Sequence, residues 1–191
     1  MIVVSNTSPI FYLSTIGQLD LLRRLYNEIL IPTAVFNEIT NVGNTDASTT
    51  IVPTLSWIQT QSATDRTLVN RLRDELDPGE AEVIALAIEY NADRLIIDER
   101  LGRLVALRLG LEVTGVLGIL IAAKRNNLIQ EVKPLLNNLI EQVGFWVDEQ
   151  LYTEVLQKLK QSPRLSSVGC SAGGFIRRVV SLSRSIQTST I

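Results

Sequence analysis

Short solid apolar runs alternate along this chain with longer stretches whose apolar residues recur every three or four positions. Met1 to Ser5 (MIVVS), Ile29 to Ile31, Arg94 to Ile97 and Leu111 to Thr114 are such runs, and Trp57-Ile58 is a fifth, weaker one. Runs this short, bounded by turn-forming residues, predict strands buried on both faces. Between them lie helical patterns over Ile10–Ile16, Gln18–Glu28, Asp65–Glu75, Glu80–Tyr90, Glu99–Leu109, Val116–Arg125, Val132–Val143 and Asp148–Lys160, with a further helix opened by Pro32. Leu19, Leu22, Leu25 and Tyr26 share one helical face; so do Val83, Ile84, Ala87 and Ile88. The punctuation agrees with this division. Ser8 is a suitable N-cap with Pro9 at the first helical position, Gly17 and Gly110 end helices, and Asp77-Pro78-Gly79 reads as a turn. Asn41 to Thr54, rich in Asn, Thr, Ser and Gly, reads as an exposed loop. Strands alternating with helices predict an α/β fold with a mainly parallel central sheet of four to five strands.

Ligands of such folds sit beyond the C-terminal ends of the strands. Asn6 and Asp98 occupy that position after two different predicted strands. The segment from Asp77 to Arg100 adds Glu80 and Glu82 at a helix start and Glu99 beside Asp98. Carboxylates gathered at one rim repel one another unless a cation lies among them. A hard divalent metal is therefore the first chemistry to weigh.

Composition narrows the choice. The chain has 191 residues and no histidine, which excludes an imidazole base, a Ser-His or Cys-His nucleophile and a histidine metal ligand. Its single cysteine, Cys170, excludes an internal disulfide and a thiolate zinc site. Oxygen ligands favour Mg²⁺ or Mn²⁺. No apolar stretch approaches the ~18 residues of a membrane span, and no secretory leader pattern appears, so a cytoplasmic location is expected. Four of the 18 basic residues (Arg164, Arg177, Arg178, Arg184) and none of the 20 acidic ones follow position 160, so the first 160 residues carry a net charge of −6. An acidic body argues against a dedicated binder of duplex DNA. The tail from Gln161 is rich in Ser, Gly and Arg and is expected to be weakly ordered. Its Gly169–Gly173 segment (GCSAG) matches the G-x-S-x-G pattern only formally, because no histidine exists to activate Ser171.

These residues in this order resemble a PIN-domain protein, the fold of metal-dependent ribonucleases that includes the VapC-type toxins. The nearest resemblance is to a PIN-like branch that opens with Asn or Asp followed by Thr-Ser-Pro, here Asn6-Thr7-Ser8-Pro9, and carries a Gly-Glu-Ala-Glu segment, here Gly79 to Glu82. The similarity runs from about Ile2 to Lys160, which implies a 1–160 domain and a 161–191 tail. It implies a three-layer α/β/α arrangement. The family's acidic positions fall on Asn6 after the first strand, Glu38 after the second, Glu80 at the start of the buried helix and Asp98 after the next parallel strand, with Glu99 directly following. By the resemblance, Glu80 and Asp98 are metal ligands, Glu38 and Glu99 act directly or through water on Mg²⁺ or Mn²⁺, and Asn6 orients substrate or water. An RNA substrate, a homodimer and a small cognate antitoxin protein are implied in the same way. This chain departs from the pattern at Asn6, which supplies a neutral amide where the nucleases have a carboxylate, and at Ile97, where many carry Thr or Ser nearby. Glu82, two residues beyond Glu80, points about 200° away on a helix.

Each residue also has an ordinary structural use. Glu80 and Glu82 complement a helix dipole by about 0.3–1 kcal/mol each. Asp98 suits an N-cap, Asn6 an Asx-turn, Glu38 a solvated helix face and Glu99 a first helical turn. Arg100, Arg103, Arg71 and Arg73 are available to contact RNA phosphates or to pair with acids such as Asp74 and Glu75. The expectation is therefore a toxin-type metal-dependent endoribonuclease, with a catalytically weak PIN-like module that binds RNA or a partner protein as the alternative. A phosphatase with an aspartyl nucleophile wants Asp where Asn6 stands. Nucleotide-binding glycine motifs are absent.

Overall fold

The computed structural model describes residues 1–41, 47–148, 152–153 and 155. Its chain divides into two compact units, Met1–Phe145 and Trp146–Ile191. In the first unit five strands form one sheet: β1 (Val3–Ser5), β2 (Ile29–Pro32), β3 (Ile58–Gln61), β4 (Arg94–Ile96) and β5 (Val113–Thr114). All pairings are parallel and the order is β3-β2-β1-β4-β5. The helices are α1 (Thr7–Thr15), α2 (Asp20–Tyr26), α3 (Thr33–Asn41), α4 (Ala47–Ile51), α5 (Arg66–Leu72), α6 (Pro78–Glu89), α7 (Arg100–Arg108), α8 (Val116–Arg125) and α9 (Lys133–Val143). Together they make a three-layer α/β/α sandwich. In the second unit, the Tyr152 N–H donates to Asp148 O at 2.8 Å, a helical turn at the start of the predicted last helix. The rest of that helix, the 161–191 tail and the GCSAG segment lie outside the described residues.

The strand order explains where a ligand belongs. From β1 the chain steps one way to β2 and β3, then returns to the other side of β1 for β4 and β5. Right-handed crossovers running in opposite directions cover opposite faces of a sheet. Accordingly α6 packs on β1, β2 and β4 with α5 and α7 beside it, while α1 packs with α8 and α9, and α2 with α8. Between β1 and β4 the two windings part, which opens a crevice at the C-terminal ends of those strands. Asn6 follows β1 there, and Asp98 and Glu99 follow β4.

Apolar residues of every strand and of α6 fill the space between layers. Val4, Ile31, Ile84, Leu86, Leu95 and Ile96 are fully buried. Two local expectations fail. Helix α1 begins at Thr7 with Asn6 as its N-cap, so Ser8 and Pro9 lie inside the first turn. Proline costs nothing there, because the first N–H groups of a helix have no intrahelical acceptor. Part of the expected Asn41–Thr54 loop is helical: α4 is followed by a 3₁₀ turn over Val52–Thr54. Buried Ser48 and Val52, with α4 packed against α1 and α3, hold those polar residues in helical form. Residues 42–46 lie outside the described residues.

Candidate active site

The rim at the switch between β1 and β4 is built from helix starts. Asn6 extends β1 by donating its N–H to Ile96 O at 2.9 Å, and the chain then turns directly into α1. Its side chain does not cap that helix; Asn6 Nδ2 donates to Glu99 Oε2 at 3.1 Å. The Ser8 hydroxyl donates to the other oxygen, Glu99 Oε1. The Thr7 hydroxyl donates to Glu38 Oε2 across from α3. The Asn-Thr-Ser tripeptide thus fastens two carboxylates from separate elements to the start of α1.

Glu80 and Asp98 are held differently. Glu80 sits in the first turn of α6, forms a capping box with Asp77, and accepts the Asp77 N–H on Oε2 at 3.3 Å. Only 7% of the residue is exposed. Its Oε1 is buried against Gly102 without a well-formed hydrogen bond. Burial raises its pKa, the Asp77 and Gly102 N–H groups oppose this, and the charges of Glu99 and Asp77 add to it. Asp98 accepts the Val116 N–H at the start of α8, 3.1 Å from each oxygen. Burial pushes its carboxyl up to about 6, against the pull of that N–H and of Arg103, with Glu99 adding to the rise.

Three glycines make room for these groups. A Cβ on Gly79 would collide with Glu38 Oε1, one on Gly102 with Glu80 Oε1 and Ile97 Cδ1, and one on Gly115 with Asp98 Oδ1. The glycines stand at the starts of α6, α7 and α8. Each carboxylate therefore leans into the positive end of a helix dipole, which lets several negative charges share one rim.

All five expected site residues stand on this rim, linked through α1, α6 and α7. Glu38 is exposed, Asp98 and Glu99 are half-buried, and Asn6 and Glu80 are buried. They do not converge on one point. Among the described residues no three Asp, Glu, His or Cys side chains are grouped closely enough to hold an ion as they stand. Glu82 faces elsewhere and pairs with Arg66 at 3.0 Å. Arg103 is a structural cation: its Nη1 donates to Ile97 O at 2.9 Å and its charge favours ionised Asp98. Arg71, Arg73 and Arg100 are exposed.

Spacing alone does not mark Tyr12, Gly102 or Gly115, and it marks Gly79 only as a turn residue. A glycine in the first turn of a helix, as at Gly79 and Gly102, weakens that helix for no local reason, and that is the available sign of a close approach. Tyr12 lies one helical turn beyond Ser8, and burial and the charges of Asp98 and Glu99 together raise its pKa.

A PIN-domain family model matches residues 2–161. The chain belongs to the PIN-domain family. PIN domains are commonly nucleases that act on RNA, and they usually bind divalent metals. No curated protein and no solved structure is a match for the chain. The donors at this rim are all oxygens, the chemistry that suits a hard divalent ion, and Glu80 Oε1 lies buried among them without a well-formed hydrogen bond. Among the described residues no helix is long and apolar enough to cross a membrane.

Proposed function

We propose that this PIN domain is a metal-dependent endoribonuclease of the toxin–antitoxin type. One observation carries the reading: Glu80 Oε1 is buried against Gly102 at the switch-point rim without a well-formed hydrogen bond, within the field of Glu99. An oxygen left so costs about 1–3 kcal/mol, more when charged, and a cation removes that cost. Glu80 and Asp98 would be the inner ligands of a divalent ion and Glu38 a third. Glu38 is exposed and its single hydroxyl contact is easily exchanged. Bound Mg²⁺ or Mn²⁺ supplies Lewis-acid activation of water and screens the phosphate oxygens. Glu99 orients water for in-line attack on phosphorus, which breaks the P–O bond to the leaving ribose oxygen. Asn6 fixes Glu99 through its amide and presents a neutral contact to the substrate. The functional domain is residues 1–160, acting in the cytoplasm as a homodimer restrained by a cognate antitoxin protein; those last features rest on the family.

The test is cleavage of a structured RNA by purified protein in Mn²⁺. Glu80→Gln and Asp98→Asn are each expected to lower the rate at least about 100-fold. Cleavage unchanged in both variants overturns the site assignment.

A second reading is favoured by one feature. The Asn6 amide nitrogen points at Glu99, so the position that carries an acid in PIN nucleases here neutralises one instead. A PIN-like module that binds RNA or a partner without hydrolysis would have that arrangement. Absence of any melting shift in millimolar Mn²⁺, together with absence of cleavage, would favour it.

A further inference from the structure

The chain has only ten aromatic residues, and three of them meet beside the carboxylate rim. Tyr12 of α1 packs edge-on against Phe145, just past α9, with ring centroids 5.5 Å apart and planes at 76°. Phe11 adjoins Tyr12 at 5.9 Å. All three rings are half-exposed, so the cluster is not part of the closed core. The Phe145 N–H is returned to Leu139 O at 3.1 Å, and Gly144 takes the left-handed conformation (φ 65°), which folds Phe145 back at the end of α9. That turn is what delivers the second ring to α1.

The cluster's position relative to the rim follows from helix geometry. Tyr12 is four residues after Ser8 and lies on the same face of α1, and Ser8 holds Glu99. Four residues of helix rise about 6 Å. Stacked nucleotides advance about 3.4 Å each, so the ring lies roughly two nucleotide steps from the carboxylates. A base in a duplex hides its face in the stack, whereas a single strand offers it to an aromatic side chain.

We propose that Tyr12 and Phe145 form a base-stacking platform that receives an unpaired nucleotide about two positions from the phosphate held at the carboxylate rim, and so favours single-stranded RNA at this site. The platform rests on the nuclease reading for its placement, but binding and cleavage test the two separately. Tyr12 is a positioning residue. Its ring, not its hydroxyl, does the recognition.

The test is fluorescence anisotropy with a labelled short single-stranded RNA, and with the same strand annealed as a duplex, in Ca²⁺, a hard ion that oxygen ligands accept. The wild-type protein is expected to prefer the single strand. Tyr12→Ala and Phe145→Ala are each expected to weaken single-strand binding by roughly 5- to 100-fold. Tyr12→Phe should bind like the wild type. Tyr12→Leu, which keeps packing volume but removes the ring, should fail like Tyr12→Ala, and it serves if the alanine variant does not fold. Equal binding by wild type and both ring-deleted variants overturns the platform, as does equal affinity for duplex or a loss in Tyr12→Phe as large as in Tyr12→Leu. Wild-type protein that does not bind the single strand overturns it as well. Protein that binds as expected but never cleaves in Mn²⁺ leaves the platform standing and removes the nuclease reading.

Discussion

Asp98 resists ionisation more than an ordinary aspartate. Burial lifts its carboxyl to about 6 from 3.8. A carboxyl that holds its proton more tightly when folded destabilises the fold once it ionises. Its contribution is therefore best below about pH 4 and worsens as pH rises to about 6, by at most roughly 3 kcal/mol. Asp98→Asn removes this titration and keeps an oxygen for the Val116 N–H. In EDTA, the melting temperature of Asp98→Asn minus that of the wild type should grow between about pH 4 and 6 and level off above. A flat difference would contradict the raised pKa. Glu80 shifts in the same direction and for the same leading reason, burial. Neither shift was visible in the sequence, where both acids looked equally at home as helix-start charges. What distinguishes them is depth, which depends on Gly102 and Gly115 arriving from other elements.

Among the elements, the junction before α5 is tied to α6 by one side chain, besides the Arg66–Glu82 pair. Glu89, at the end of α6, accepts the Asp65 N–H at 2.7 Å, the Thr64 N–H at 2.8 Å and the Thr64 hydroxyl at 3.0 Å. Asp65 in turn caps α5 by accepting the Leu68 N–H at 2.9 Å. Glu89→Ala should lower stability by about 1–3 kcal/mol, the range for hydrogen bonds to a charged group, measured by urea unfolding. RNA cleavage by the folded fraction should be unchanged, since Glu89 stands apart from the rim residues. The elements themselves were largely legible. Helix α8 spans the residues its apolar spacing predicts, β1, β4 and β5 lie within the short runs, and β2 runs one residue past its own, taking Pro32 from the helix it was expected to open. Legibility failed where tertiary contacts outweigh composition. The polar stretch around Ser48 becomes α4 because α1 and α3 cover it. Asn6 displaces Ser8 as the first cap because the Ser8 hydroxyl is taken by Glu99.

At the scale of the whole molecule, alternating strands and helices were enough to place Asn6 and Asp98 at strand ends. The order β3-β2-β1-β4-β5 then makes those ends neighbours. Strand order is a long-range property, and no local pattern encodes the direction in which a side chain leans. That is why Asn6 and Asp98 are legible as strand-end residues, while Glu38, Glu80 and Glu99 join them only through the family resemblance and the attachment to separate helix starts is not legible at all. The attachment sets a global expectation. If Mn²⁺ draws the carboxylates together, binding must exchange helix-start contacts for metal bonds, and only the surplus appears as stability. At about 100 times its Kd the ion should still add roughly 2.7 kcal/mol, read as a rise in melting temperature. Glu80→Gln should abolish that rise.

The three glycines make this rim vulnerable to gain of bulk as well as to loss of charge. At Gly79 the obstacle to a methyl group is the tip of a flexible, exposed glutamate, so the fold yields there at small cost while the acid is evicted. At Gly102 the buried Ile97 methyl also stands in the way, so the same change strains the interior. On the nuclease reading, adding a single carbon at Gly79 would thus disarm the protein with every acidic group still present, an injury that a tally of charged residues would never detect.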